Sequence, residues 1–253
     1  MSRVVITGGA TGIGRAISDA FAGQGAQIAV CDSDAAAIAG YASAHPDHIA
    51  MVADVTDEAA MQTFLRTVES LWGGADVVCA NAGTGGPVGR IEDLDYAAWQ
   101  TCLNVTLNGT FLTCRWAARV MRAQGSGLIV LTSSTAGQFG YPLRSPYATA
   151  KWGVIGLMKT LAMELGPAGI RVNAICPGAV DGDRMDRVVA MEAAASSQTQ
   201  EFVRTQYVKG VSLRSWVTAQ DVADSVLWLA SPQARRISGQ TLAIDGHTET
   251  LVP

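Results

Sequence analysis

Tyr147 and Lys151 lie four residues apart in Pro146-Tyr147-Ala148-Thr149-Ala150-Lys151. On a helix that spacing puts both side chains on one face, an ammonium beside a phenol. A neighbouring positive charge favours phenolate and lowers the phenol pKa toward working pH. A tyrosine tuned this way can take a proton from an alcohol or return one to a ketone. Many surface helices carry such a pair by chance. Here it follows Ser133-Ser134 at the end of an apolar run, and the chain opens with a glycine-rich segment between a β-branched run and an amphipathic one. The three together point to one site.

The elements that must position these residues alternate along the chain. Short β-branched runs at 4–7, 28–31, 49–53, 77–80, 128–132, 171–175 and 241–244 are separated by longer amphipathic stretches. That alternation predicts parallel strands with crossover helices. Ile13, Ile17 and Phe21 make one helical stripe, and 59–72, 96–124, 147–165 and 220–230 read the same way. The segment 181–210 interrupts the alternation without a strand. Met185, Val188, Val189, Phe202 and Tyr207 suggest one or two helices there. Long insertions in compact domains are usually functional or disordered. This one reads as a lid over the site or, equally, as a static packing pair.

Bulk composition narrows the class. With 253 residues, 49% hydrophobic and 16% charged, the chain can bury the core of one α/β domain, with no linker or repeat. The net charge of -4 includes no long run of one sign, which argues against nucleic acid or an anionic membrane as partner. No apolar run is long enough to span a bilayer. The first strand leaves no room for a signal peptide. Cys31, Cys79, Cys102, Cys114 and Cys176 are scattered in apolar stretches without a Cys-x-x-Cys pair. That suits reduced core thiols in a cytoplasmic protein and predicts no metal site.

Thr7-Gly8-Gly9-Ala10-Thr11-Gly12-Ile13-Gly14 follows the first strand and opens the first helix. Small residues let backbone approach a pyrophosphate, and the helix N-terminus offers free N–H groups, so Gly8, Thr11, Gly12, Ile13 and Gly14 are candidate cofactor contacts. Asp32 ends the second strand, 18 residues after Gly14. A carboxylate there can accept both ribose hydroxyls of an adenosine and would repel a 2′-phosphate, which argues for NAD over NADP. Its other reading is a helix N-cap, a role that Ser33 or Asp34 could fill instead. Arg15 could in principle attract a 2′-phosphate. Asp54-Val55 ends the third strand, where a carboxylate can accept the adenine amine or cap a loop. Asn81-Ala82-Gly83 ends the fourth, small enough for a ribose to approach, with Asn81 able to pin neighbouring loops.

These motifs resemble the short-chain dehydrogenase/reductase family, in its single-domain members of about this length. The resemblance runs from Thr7 to Gly246 and rests on 7–14, Asn81-Ala82-Gly83, Asn104, Ser134, Tyr147, Lys151 and Pro177-Gly178. It implies a Rossmann-type doubly wound α/β fold, a seven-stranded parallel sheet with helices on both faces, and hydride transfer to or from a nicotinamide. It also implies a tetrad of Asn104, Ser134, Tyr147 and Lys151. Tyr147 would be the general acid/base, and Lys151 would lower its pKa and hold the nicotinamide ribose. Ser134, 13 residues before Tyr147, would bind the substrate oxygen. Asn104 would sit at a helix irregularity and support a water leading protons through Lys151. Pro177, Gly178 and Val180 would lie along the cofactor. Where many relatives place a threonine against the carboxamide, this chain has Gly182. A homotetramer follows by analogy, its helices at 96–124 and 147–165 approaching a partner through Ala117, Ala118, Gly153 and Gly156.

Arg144 and Arg184 could meet a carboxylate, phosphate or sulfonate of a substrate, or each could be a surface arginine in a salt bridge. Gln138, Phe139, Tyr141 and Trp152 could line the pocket or simply pack, and His247 reads as a surface or interface histidine. Three functions follow. The first is an NAD-dependent oxidoreductase of a small polar secondary alcohol: a sugar, polyol or hydroxy acid. The second is an NADPH-dependent carbonyl or 3-oxoacyl reductase. The third is a dinucleotide-binding sensor without turnover.

Overall fold

The computed structural model describes residues 2–250. Seven strands, β1 (Arg3–Thr7), β2 (Gln27–Asp32), β3 (Ile49–Val52), β4 (Val77–Ala80), β5 (Gly127–Thr132), β6 (Ile170–Pro177) and β7 (Thr241–Ile244), form one sheet in the order β3-β2-β1-β4-β5-β6-β7. Every neighbouring pair is parallel. The order reverses beside β1, and in open α/β sheets ligands bind at such a switch point, beyond the strands' carboxyl ends.

Nine α-helices connect and cover the strands: α1 (Gly12–Ala22), α2 (Ala35–Ala44), α3 (Glu58–Trp72), α4 (Tyr96–Leu103), α5 (Gly109–Gln124), α6 (Ser145–Leu165), α7 (Asp183–Ser196), α8 (Gln200–Lys209) and α9 (Ala219–Ala230). Successive strand residues face opposite sides, so the strands feed two cores. Val5, Val78, Ile129 and Val172 meet α3, α5 and α6 through Phe64, Ala117 and Met158. Val4, Ile6, Val30 and Val130 meet α1, α2 and α9 through Ile17, Tyr41 and Val226. This is the doubly wound fold the alternation predicted. The segment at 181–210 holds the paired α7 and α8, which share a small core of Val189, Ala193 and Val203. Among the described residues no helix is long and apolar enough to cross a membrane.

Two details depart from the sequence reading. The stretch expected as one helix over 96–124 is α4 and α5 joined by a π-helical turn, Asn104–Asn108, which adds a residue to the turn. Of the small residues expected to meet a partner, Ala117 belongs to the chain's own core and Gly153 packs against the Leu107 side chain. Gly156 is exposed, with nothing against it. The five cysteines are free and buried, as expected, and burial pushes the Cys79 and Cys114 thiols up to about 12.

Candidate active site

A cavity of about 820 Å³ opens at the carboxyl ends of β1, β2, β4, β5 and β6. One part of its wall is built by the glycine-rich loop. Gly14 sits so close to the turn before it that a Cβ would lie 2.0 Å from the Gly8 carbonyl oxygen. Only glycine permits that approach. Asn81 locks the same junction: its amide donates to the carbonyls of Thr7 at 3.2 Å and Gly8 at 3.1 Å, and its Oδ1 accepts from the Thr132 hydroxyl. It therefore ties β1, β4 and β5 together, the pinning role read from sequence.

The residues along this part fit a dinucleotide. Thr11 is the N-cap of α1 yet makes no side-chain bond to the helix, which leaves first-turn N–H groups to an anion. Gly12 lines the cavity, and a Cβ there would meet no other atom within 4 Å, so backbone alone faces the space. Asp32 is not consumed as a helix cap. Asp34 caps α2, accepting from Ala36 and Ala37, while Asp32 takes only a 3.2 Å bond from the Asp34 N–H and a 3.4 Å bond from the Ala10 N–H. Arg15 is held by Asp19 at 2.8 Å and does not line the cavity. Asp54 lines the cavity while its Oδ1 accepts the Thr56 N–H and hydroxyl, so the loop-cap reading holds for that oxygen.

Tyr147 and Lys151 stand on the first turns of α6, on one face, with the Lys151 Nζ 5.6 Å from the Tyr147 ring centroid. Lys151 is buried, and its ammonium donates to the Thr132 carbonyl at 2.7 Å. Of the two serines, Ser133 donates to the Lys151 carbonyl at 2.9 Å and so fixes the helix. That leaves Ser134 to face Tyr147. Burial acts to push the Tyr147 phenol up, but Lys151, Arg184, the Ser134 hydroxyl and Arg144 together outweigh it and hold the phenol below its ordinary range. Burial likewise lowers Lys151, against the pull of Tyr147. A phenol poised this way, beside a hydroxyl, can exchange a proton with a substrate oxygen.

Asn104 is placed differently from the expectation. It lies on the π-helical turn, but it is exposed, its Oδ1 accepts from Asn108 at 2.8 Å, and it is absent from the cavity wall. The wide turn carries its side chain outward and turns Thr106 inward instead. Thr106 is fully buried, accepts the Thr84 N–H at 3.3 Å and lies against Gly83, next to Lys151. Ile13, Val55, Ala82, Gly83, Pro177, Gly178 and Val180 all line the cavity. Gly182 begins α7 at φ +134, a backbone that a threonine would adopt only with strain.

Arg144 and Arg184 both reach the wall, as do Tyr141 and Arg187. Arg144 is no surface residue. Its guanidinium pairs with Glu192 of α7 at 2.9 Å, both side chains 3% exposed, and donates to the Gly85 carbonyl. Tyr141 and Tyr207 donate to the two oxygens of the same carboxylate. Glu192 and Tyr207 were not anticipated as site residues. Gln138, Phe139 and Trp152 lie outside this wall, and His247 is exposed, bonded to Ser212.

Comparison with known proteins agrees with this geometry. A family model described as enoyl-(acyl carrier protein) reductase matches residues 8–247. The chain is 33% identical to D-beta-hydroxybutyrate dehydrogenase of Rhizobium meliloti (strain 1021), over 96% of each chain. Its fold superposes on an NAD+-bound xylitol dehydrogenase with a TM-score of 0.91 at 29% identity, covering 97% of this chain and 98% of that one. It superposes equally on an actinorhodin polyketide ketoreductase solved with NADPH, at a TM-score of 0.92 and 27% identity, over 97% and 96% of the two chains.

Proposed function

The chain belongs to the short-chain dehydrogenase/reductase family of oxidoreductases acting on secondary alcohols and ketones, and from that premise we propose that it is an NAD-dependent dehydrogenase of a small polar secondary alcohol: a sugar, polyol or hydroxy acid. One observation carries the reading: the lowered Tyr147 phenol lines the same cavity as Asp32, to which no cation is paired among the described residues. When bound, the nicotinamide supplies the acceptor for hydride. The rest belongs to the chain. The Ser134 hydroxyl holds the substrate oxygen, and Tyr147 removes its proton. Lys151 keeps the phenolate stable and, with Tyr147, holds the cofactor ribose. The first turn of α1 receives the pyrophosphate. Asp32 accepts the ribose hydroxyls, Asp54 and Val55 border the adenine, and Pro177, Gly178 and Val180 flank the nicotinamide. Helices α7 and α8 serve as the lid, and the protein assembles as a homotetramer through α5 and α6, which sedimentation would test.

The likeness to a ketoreductase solved with NADPH supports a second reading, an NADPH-dependent carbonyl or 3-oxoacyl reductase. Asp32 weighs against it, since a carboxylate repels a 2′-phosphate. The test is formation of reduced nicotinamide from NAD or NADP across sugars, polyols and hydroxy acids, with Tyr147→Phe as control. Turnover with NAD that the variant loses is the expected result. Activity confined to NADPH-driven ketone reduction would overturn the choice of cofactor.

A further inference from the structure

Charge is unevenly spread along the cavity wall. Asp32, Asp34 and Asp54 line it beyond β2 and β3, whereas Lys151, Arg144, Arg184 and Arg187 line it with Asp181 and Asp183 beyond β5 and β6. On α7, Arg184, Arg187 and Val188 occupy i, i+3 and i+4, one helix face, and all three look into the cavity. Two like charges on one face repel, and at a helix N-terminus the dipole opposes cations as well. The fold gains nothing from them there. Nor are they neutralised: Asp181 and Asp186 are both claimed by Arg204, and among the described residues neither Arg184 nor Arg187 forms an ion pair. Asp183, the remaining acid of this turn, is exposed like Arg184 and Arg187 and also lines the cavity, but it forms no ion pair with either among the described residues. Arg184, and none of these acids, is among the groups acting most strongly on Tyr147 and Lys151.

A second observation comes from the wall behind them. The Arg144 guanidinium lies 5.2 Å from the Tyr147 ring centroid. Its terminal nitrogens bond Glu192 and the Gly85 carbonyl, but its Nε is buried without a partner. Buried donors of this kind are normally satisfied.

We infer that the substrate carries an anionic group (carboxylate, sulfonate or phosphate) a few bonds from its carbinol carbon, bound by Arg184 with Arg187 alongside, the buried Arg144 guanidinium behind them adding its charge. This rests on the dehydrogenase reading and narrows its substrate class. A guanidinium recognises all three anions through paired N–H donors. The proposed function already assigns the pyrophosphate to the first turn of α1.

The test uses one carbon skeleton with different ends: hydroxybutyrate, its sulfonate and phosphate analogues, and its neutral methyl ester. Wild type, Arg184→Gln, Arg184→Lys and Arg187→Gln are compared, with NADH affinity measured separately by fluorescence titration. Arg184→Gln raises the Tyr147 phenol as well and so slows every substrate below that pKa, but kcat/KM for the best anion should fall roughly ten- to a hundredfold more than for the ester, and Arg184→Lys should retain part of the preference. The anion that suffers most identifies the natural end group. Wild type that uses the ester as well as every acid would overturn the inference and leave the dehydrogenase reading standing. An Arg184→Gln defect seen equally in NADH affinity would reassign the arginine to the cofactor phosphates. Should no alcohol be oxidised with either cofactor, the dehydrogenase reading falls. The subsite is then judged at equilibrium: hydroxybutyrate must raise the melting temperature of wild type and not of Arg184→Gln, and an equal response removes it.

Discussion

Replacing Glu192 by leucine should be among the most damaging single changes outside the sheet. The carboxylate is 3% exposed and accepts from Arg144 at 2.9 Å, from Tyr141 at 3.1 Å and from Tyr207 at 2.7 Å. Among the described residues leucine removes the only carboxylate that the Arg144 guanidinium meets, leaves that charge buried at 3% exposure, and takes the shared acceptor from Tyr141 and Tyr207. Breaking one side of a buried ion pair costs about 3–5 kcal/mol, because the surviving charge stays desolvated. In a domain of this size each kcal/mol moves Tm by about 2–4 °C, so the expected drop is about 6–20 °C. The double variant Arg144→Met/Glu192→Leu removes both charges and should lose less than the two singles combined, with about 1–3 kcal/mol of coupling. Thermal melts by circular dichroism, supported by urea titration, measure all three proteins. Strict additivity, or a Glu192→Leu drop below about 2 °C, would refute the claim that this pair is a buried latch between α7 and the loop before α6.

Tyr147→Phe should lower kcat by about 10²–10⁴-fold, with a much smaller loss of NADH affinity because Lys151 still holds the ribose, measured by steady-state kinetics and fluorescence titration. Alcohol oxidation needs the phenolate, so activity should rise with pH through the Tyr147 pKa. Lys151→Met removes the largest charge holding that pKa down, and the rising limb of the kcat/KM profile should move to higher pH; an unmoved limb would contradict the electrostatic account. Asp32→Ala should narrow or reverse the preference for NAD over NADP, read from the ratio of kcat/KM values, and an unchanged ratio would mean the carboxylate does not read the ribose. Gly14→Ala would place a Cβ 2.0 Å from the Gly8 carbonyl, and overpacking of this kind costs about 1–3 kcal/mol or more. It should lower Tm and weaken NADH binding together.

How far the sequence could be read depended on whether an interaction was local. The strands were legible because β-branched runs such as Val4-Val5-Ile6 must be buried on both faces of a parallel sheet. The helix α1 was legible from Ile13, Ile17 and Phe21, which repeat at one helical face. Tyr147 and Lys151 were legible because their geometry is set by one turn of helix. Asn104 and Thr106 were not separable, because a π-helical turn shifts every side chain after it and leaves the hydrophobic pattern nearly unchanged. Glu192 was invisible for another reason. It stands in the alanine-rich Met191-Glu192-Ala193-Ala194-Ala195, where a carboxylate reads as solvated, and its partner Arg144 is 48 residues away. Nothing local announces a long-range buried pair. Arg144 itself was rightly placed at the pocket, but its burial and its partner were not foreseeable from the surrounding loop. The short α2, rich in alanine, was anticipated only as a helix after Asp32, because it lacks the apolar stripe that would mark its ends.

The cavity wall is also a record of the order in which a ribosome would deliver it. Gly8 to Val55 come first and already supply the loop, Asp32 and Asp54. The proton-transferring residues follow about a hundred positions later, and Thr248 and Thr250, which finish the wall, come last, held by the Asp245 carboxylate bonding to the Thr248 N–H and by the bridge from Val211 to Thr248. β1 lies between β2 and β4, so its inner edge waits for residues beyond 76 before the sheet is continuous. A nascent chain thus carries the glycine-rich loop, Asp32 and Asp54 well before Asn81 arrives to lock that loop, and Asn81 in turn before Tyr147 and Lys151.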